Sequence, residues 1–218
     1  MIKRIAHELL SHAPFTAVGA AIGILIMVII VSLSVPKGIS QALFYTLHPL
    51  HVVLSASATV AMYKLYGEGR FWVVVLIGYT GSIGIATLSD VIIPYLGASL
   101  LNVPMEFHIP FIETEIMPFI GIGKWVVVNL GAVIGIAVGY WKPTTRFPHF
   151  GHTLLSTWAS LFAFTAFGIA DWIPLLPVIF IFLFLAVWLP CCVSDIVYPL
   201  LWVRGGPAIG SRTKAKAH

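Results

Sequence analysis

Two stretches of the chain share one pattern of side chains. HPLHVVLS covers residues 48–55 and HFGHTLLS covers residues 149–156. Each reads H-x-x-H-x-x-x-S. Each is followed by a second shared element, SDVIIP at 89–94 and SDIVYP at 194–199. On a helix, positions i and i+3 lie on one face, so both imidazoles of an HxxH reach a common point. Imidazoles with a nearby carboxylate suit a divalent transition metal, whereas calcium demands more oxygen ligands. A carboxylate inside an apolar segment is costly, which marks Asp90 and Asp195 as functional candidates.

A weaker echo precedes each pattern, HAPF at 12–15 and HIPF at 108–111. The order HxPF, HxxHxxxS, SDxxxP therefore recurs. Two constellations are expected from it. The first is His48, His51, Asp90 and His108. The second is His149, His152, Asp195 and His12. Ser55, Ser89, Ser156, Ser194, His7 and Glu8 are supporting candidates. Zn is the first choice of metal, with Mn, Fe, Co or Ni as alternatives. With each HxxH in a first helical turn and Pro49 or Pro148 at the start, the positive helix end disfavours imidazolium and keeps lone pairs free. Without metal, the same groups form a proton relay or ion pairs.

The elements that carry these residues are membrane helices. Of 218 residues, 59% are hydrophobic and 9% charged, against about 25% charged in soluble domains. Mean hydropathy is +1.00. Six apolar stretches approach the roughly 20 residues of a spanning helix: 16–35, 48–66, 71–95, 124–141, 148–170 and 173–203. Lys3, Arg4, Lys64, Arg70, Lys142, Arg146, Arg204, Arg212, Lys214 and Lys216 fall on one side of this arrangement, and only Lys37 and Lys124 on the other. That bias places both termini in the cytoplasm. No cleavable leader is evident. The expected location is the plasma membrane of a prokaryote.

The expected fold is an all-α integral membrane protein of six transmembrane helices in two repeats, residues 1–100 and 101–218. Three spans per unit force the units into opposite orientations, an inverted-topology repeat of the kind common in secondary transporters. The two constellations then lie near opposite membrane faces. Glu106, Glu113 and Glu115 fall in the outer loop and are expected to be solvated. Cys191, one turn before Asp195, is a weaker candidate, since Ala86 holds the matching place. Gly-rich runs such as 19–23 and 131–135 suggest close helix packing.

The functional expectation is a transition-metal permease with two pseudo-symmetric sites, each of three histidines and one aspartate. A membrane-embedded metal-dependent hydrolase of a lipid-like substrate is the alternative, followed by a haem- or metal-binding subunit of a membrane complex. In residue types the set resembles the intramembrane zinc hydrolases related to alkaline ceramidases and adiponectin receptors. Those have seven spans and an S-x-x-x-H, D, H-x-x-x-H pattern, whereas this chain has six, HxxH spacing and two sets. Expected partners are membrane lipids and the metal ion, with a homo-oligomer or larger complex open. No basic stripe points to nucleic acid.

Overall fold

In the computed structural model, residues 2–67, 70–117, 121–144 and 146–203 are described, apart from the side chains of 2–9, 11, 12, 15, 146–150, 192 and 196. Six helices follow one another: α1 (Ile2–Ser32), α2 (Lys37–Tyr66), α3 (Phe71–Leu100), α4 (Lys124–Trp141), α5 (Arg146–Phe167) and α6 (Ile173–Leu201). Among the described residues there are no strands, only isolated bridges between Met105 and Gly168 and between Ile116 and Gly123.

Two turns show how short sequences end these helices. After α1, Ser34 takes a left-handed φ of 49° and the Val35 N–H reaches back to the Ile30 carbonyl at 3.0 Å. After α3, Asn102 takes φ 54° and the Val103 N–H reaches the Ala98 carbonyl at 2.8 Å. Both are six-to-one helix closures that satisfy an orphan carbonyl. A proline follows each, Pro36 and Pro104, and prevents the helix from resuming in line.

Helices α2, α3, α4 and α6 are each long and apolar enough to cross a membrane. In α1 the apolar part is Thr16–Ser32. Helix α5 packs against α1, α2 and α6, and α2 against α3, α4 and α5. These two form the centre, and they carry most of the buried polar residues among those described. Ser55, Thr59, Ser156, Thr157 and Ser160 are buried, while Leu25, Leu76, Leu130 and Ile181 are exposed. Apolar outside and polar inside suits a hydrocarbon surround, where every buried polar group needs a protein partner.

Close packing of α4 on α2 depends on glycine. A Cβ at Gly135 would lie 2.2 Å from the Val53 carbonyl oxygen, and one at Gly139 would lie 2.5 Å from that of Ser57. Only glycine permits such an approach between backbones. The run at 131–135 thus packs as its composition suggests.

Both long polar-bearing spans contain a π turn in the same place relative to their SDxxxP elements. These are Leu88–Ile92 in α3 and Val193–Val197 in α6. The cause is local. Pro94 and Pro199 lack an N–H, and their rings would meet the carbonyl four residues back, that of Asp90 or Asp195. The helix widens instead, and the Ile93 N–H bonds the Leu88 carbonyl five residues earlier. Such turns frequently mark functional sites.

Candidate metal site

Helix α2 starts at Lys37, eleven residues before His48. His51 therefore lies roughly 20 Å along an axis of roughly 45 Å. This corrects the expected placement of the first HxxH in an initial helical turn, and Pro49 is inside the helix. The apolar run marked only the most hydrophobic part of α2. Its first turns carry Gly38, Ser40 and Gln41 and are nonetheless helical.

At this depth both imidazoles meet one carboxylate. His48 Nδ1 lies 2.9 Å and His51 Nδ1 2.7 Å from Asp90 Oδ2. All three residues are buried. The other oxygen, Oδ1, accepts from the Ser89 hydroxyl at 2.7 Å, the Ser156 hydroxyl at 2.9 Å and the Ser160 hydroxyl at 3.4 Å. An ionised carboxylate only accepts, so each Nδ1 donates to Oδ2 and Nε2 is the ring nitrogen left to face a ligand. His51 Nε2 is buried and has no hydrogen-bond partner. Asp90 has its carboxylate solvated by donors from three helices, as a buried charge requires.

The second half repeats part of this. His152 Nδ1 lies 2.7 Å from Asp195 Oδ2, and both residues are buried. The Ser55 and Ser194 hydroxyls are 3.3 Å apart, matching the 3.2 Å between the Ser156 and Ser89 hydroxyls. The Thr59 hydroxyl donates to the Ser194 carbonyl at 3.4 Å, as the Ser160 hydroxyl donates to that of Ser89 at 2.9 Å. Each central helix thus sends hydroxyls to the SD element of the other half. Histidines were expected to make this exchange. Thr59 and Ser160 were missed, although H-x-x-H-x-x-x-S-x-x-x-[S/T] is legible at 48–59 and 149–160.

The two clusters adjoin. The rings of His51 and His152 stack with centroids 5.2 Å apart and planes 10° from parallel. This corrects their expected separation to opposite membrane faces. Setting the HxxH pairs at span ends had placed them there, and the true start of α2 removes that reason. Cys191 joins them: one ligand atom each from His51, His152 and Cys191 lies within 4.8 Å of the others. His48, His51 and Asp90 form a second such group.

His108 does not reach Asp90. Its ring lies on Phe167 with centroids 3.7 Å apart and meets Phe44 edge-on at 5.0 Å. Phe44 also stacks on His48 at 5.4 Å, so an aromatic side chain occupies the place of the expected fourth ligand contact. Burial pushes the His108 ring down to about 4, against the opposing Glu113 carboxylate and a bond with the Glu106 backbone, and the Lys124 charge adds to the downward push. The histidines 12, 149 and 7 and Glu8 have side chains outside the described residues.

Described parts of the loop between α3 and α4 pack against the bundle. The Glu106 N–H bonds the Phe167 carbonyl at 3.1 Å, and the Ile169 N–H bonds the Pro104 carbonyl at 3.0 Å. Glu113 accepts from Tyr45 at 3.0 Å and from Lys124 at 2.9 Å, so it is not simply solvated as expected. Lys124 also pairs with exposed Glu115 at 2.7 Å and holds its carboxyl below the usual range. With His108 and Tyr45 these acids line an open cavity of about 790 Å³.

No family model matches this chain, and no curated protein or solved structure matches it. The reading of the site therefore rests on its own geometry. Imidazoles whose Nδ1 is held by a carboxylate have Nε2 oriented and made more basic, the arrangement found behind metal-binding histidines. The same geometry can also hold or pass a proton.

Proposed function

We propose that the chain is a membrane permease for a divalent transition-metal ion. In this reading residues 1–100 and 101–218 are inverted three-helix halves around a central His–Asp seam, with both termini cytoplasmic. The observation that carries it is the stacking of His51 on His152, each with its own aspartate, about midway along α2. Transporter sites lie near the bilayer midplane at the interface of two repeats. The crossed hydroxyl contacts and the two matched π turns support two related halves that grip each other.

The acidic cavity over α2 would serve as the outer mouth. Its carboxylates raise the local concentration of a cation. Phe44, buried between the His108 and His48 rings, would separate that mouth from the seam. Movement of one half against the other at the π turns would then transfer access, with the histidines as sites for coupled protons.

Proteoliposomes loaded with a metal-sensitive dye test this reading. Uptake of one or more of Zn2+, Mn2+, Fe2+, Co2+ and Ni2+ is expected, with loss in His51→Ala and His152→Ala. Absence of uptake for all five ions, in either orientation of the protein, would overturn it.

A further inference from the structure

We infer that the ion is held by His51, His152 and Cys191, with Asp90 fixing the His51 imidazole from behind and not ligating. The inference deepens the permease reading and rests on it for the cargo.

Three observations carry it. The ligand atoms of these residues, drawn from α2, α5 and α6, lie within 4.8 Å of one another. Bonds of roughly 2.0–2.3 Å put the donors of one ion about 3.5 Å apart, so small rotations close the set. Secondly, Asp90 is spent. Oδ2 takes both His48 and His51, and Oδ1 takes Ser89 and Ser156. Ligation by Asp90 would break contacts that solvate it, whereas His51 Nε2 is buried and lacks a partner. Thirdly, the thiol comes from one half alone, because buried Ala86 stands at the matching place.

This ligand set defines the cargo. Two imidazoles and a thiolate select a borderline or soft ion such as Zn2+ or Co2+ over Mn2+. The fourth position stays open, so the ion is held without a closed shell. Binding forms one metal–sulfur bond and two metal–nitrogen bonds, and the Cys191 thiol proton leaves for solvent.

Cobalt titration of the purified full chain in detergent tests the ligand set apart from transport. Co2+ should give visible ligand-field bands and a near-ultraviolet thiolate-to-cobalt charge-transfer band, and Zn2+ should displace it. Cys191→Ser should abolish the charge-transfer band and weaken binding, while Cys192→Ser leaves the band in place. Persistence of the band in Cys191→Ser, or binding of Mn2+ as tight as that of Zn2+, would overturn the inference. Uptake without a charge-transfer band sinks the ligand set and leaves the permease. A Cys191-dependent band without uptake of any ion sinks the permease and leaves the site.

Discussion

His51 and His152 stack at a centroid distance of 5.2 Å while the Nδ1 of each ring lies 2.7 Å from an oxygen of a different aspartate. One residue belongs to α2 and the other to α5. The stack therefore joins the two halves of the chain through their titratable groups. Any ion or proton that engages one ring is felt by the other.

Asp90→Asn should weaken metal binding without removing a ligand. The amide has one acceptor oxygen and no charge, so it cannot take both the imidazole pair on one side and the Ser89 and Ser156 hydroxyls on the other, and it no longer makes the imidazoles more basic. Loss of such a partner costs about 10–100-fold in affinity. Competition titration with a chelator of known affinity measures this. An unchanged affinity would remove Asp90 from its orienting role.

The two crossed serines should differ in their contribution to stability. Ser156 donates to a carboxylate at 2.9 Å, and bonds to charged groups contribute about 1.5–3 kcal/mol. Among the described residues the Ser55 hydroxyl meets that of Ser194, at 3.3 Å, and hydrogen bonds between membrane helices average about 0.6 kcal/mol. Ser156→Ala is thus expected to lower the unfolding free energy more than Ser55→Ala. Denaturant titration in detergent distinguishes them, and equal effects would contradict the asymmetry.

Gly135→Ala should destabilise the contact of α4 with α2, since the new methyl would sit 2.2 Å from the Val53 carbonyl oxygen. Overpacking of this kind costs about 1–3 kcal/mol. Gly84→Ala meets nothing within 4 Å and should be neutral or gain up to about 1 kcal/mol of helix propensity. Melting temperatures of the two variants should move apart.

His108 should make the loop between α3 and α4 acid-sensitive. Burial lowers its folded pKa to about 4 from 6.5. Between these values the unfolded loop binds a proton that the folded loop does not. Stability is therefore full above about pH 6.5 and declines as pH falls towards 4. The protection factor of the Glu106 amide, bonded to Phe167, taken relative to the intrinsic exchange rate at each pH, should fall over that window in the wild type. His108→Gln should flatten the response, and an equal response in both would refute it.

Much of the seam was legible because helical spacing is local. HxxH places two rings within one turn whatever surrounds them, and SDxxxP sets its own π turn through Pro94 and Pro199. The partnerships of His48 and His51 with Asp90, and of His152 with Asp195, followed from matching the two halves. His108 did not behave this way. Its HxPF echo resembled that at 12–15, but Phe44 and Phe167 took up its ring.

Composition and repetition alone established apolar helices, a duplicated polar pattern, and which residue types cluster within each half. The tertiary structure decided how deep those residues sit and what they meet across helices. Depth depends on where α2 begins, and hydropathy does not mark a start at Lys37 among small polar residues. Cross-helix contacts depend on how closely backbones approach, which Gly135 and Gly139 set, and on the local widening of the π turns. Neither is encoded in spacing along one helix. Hence Ser156 on Asp90, and Cys191 beside His51 and His152, emerge only once the six helices are packed.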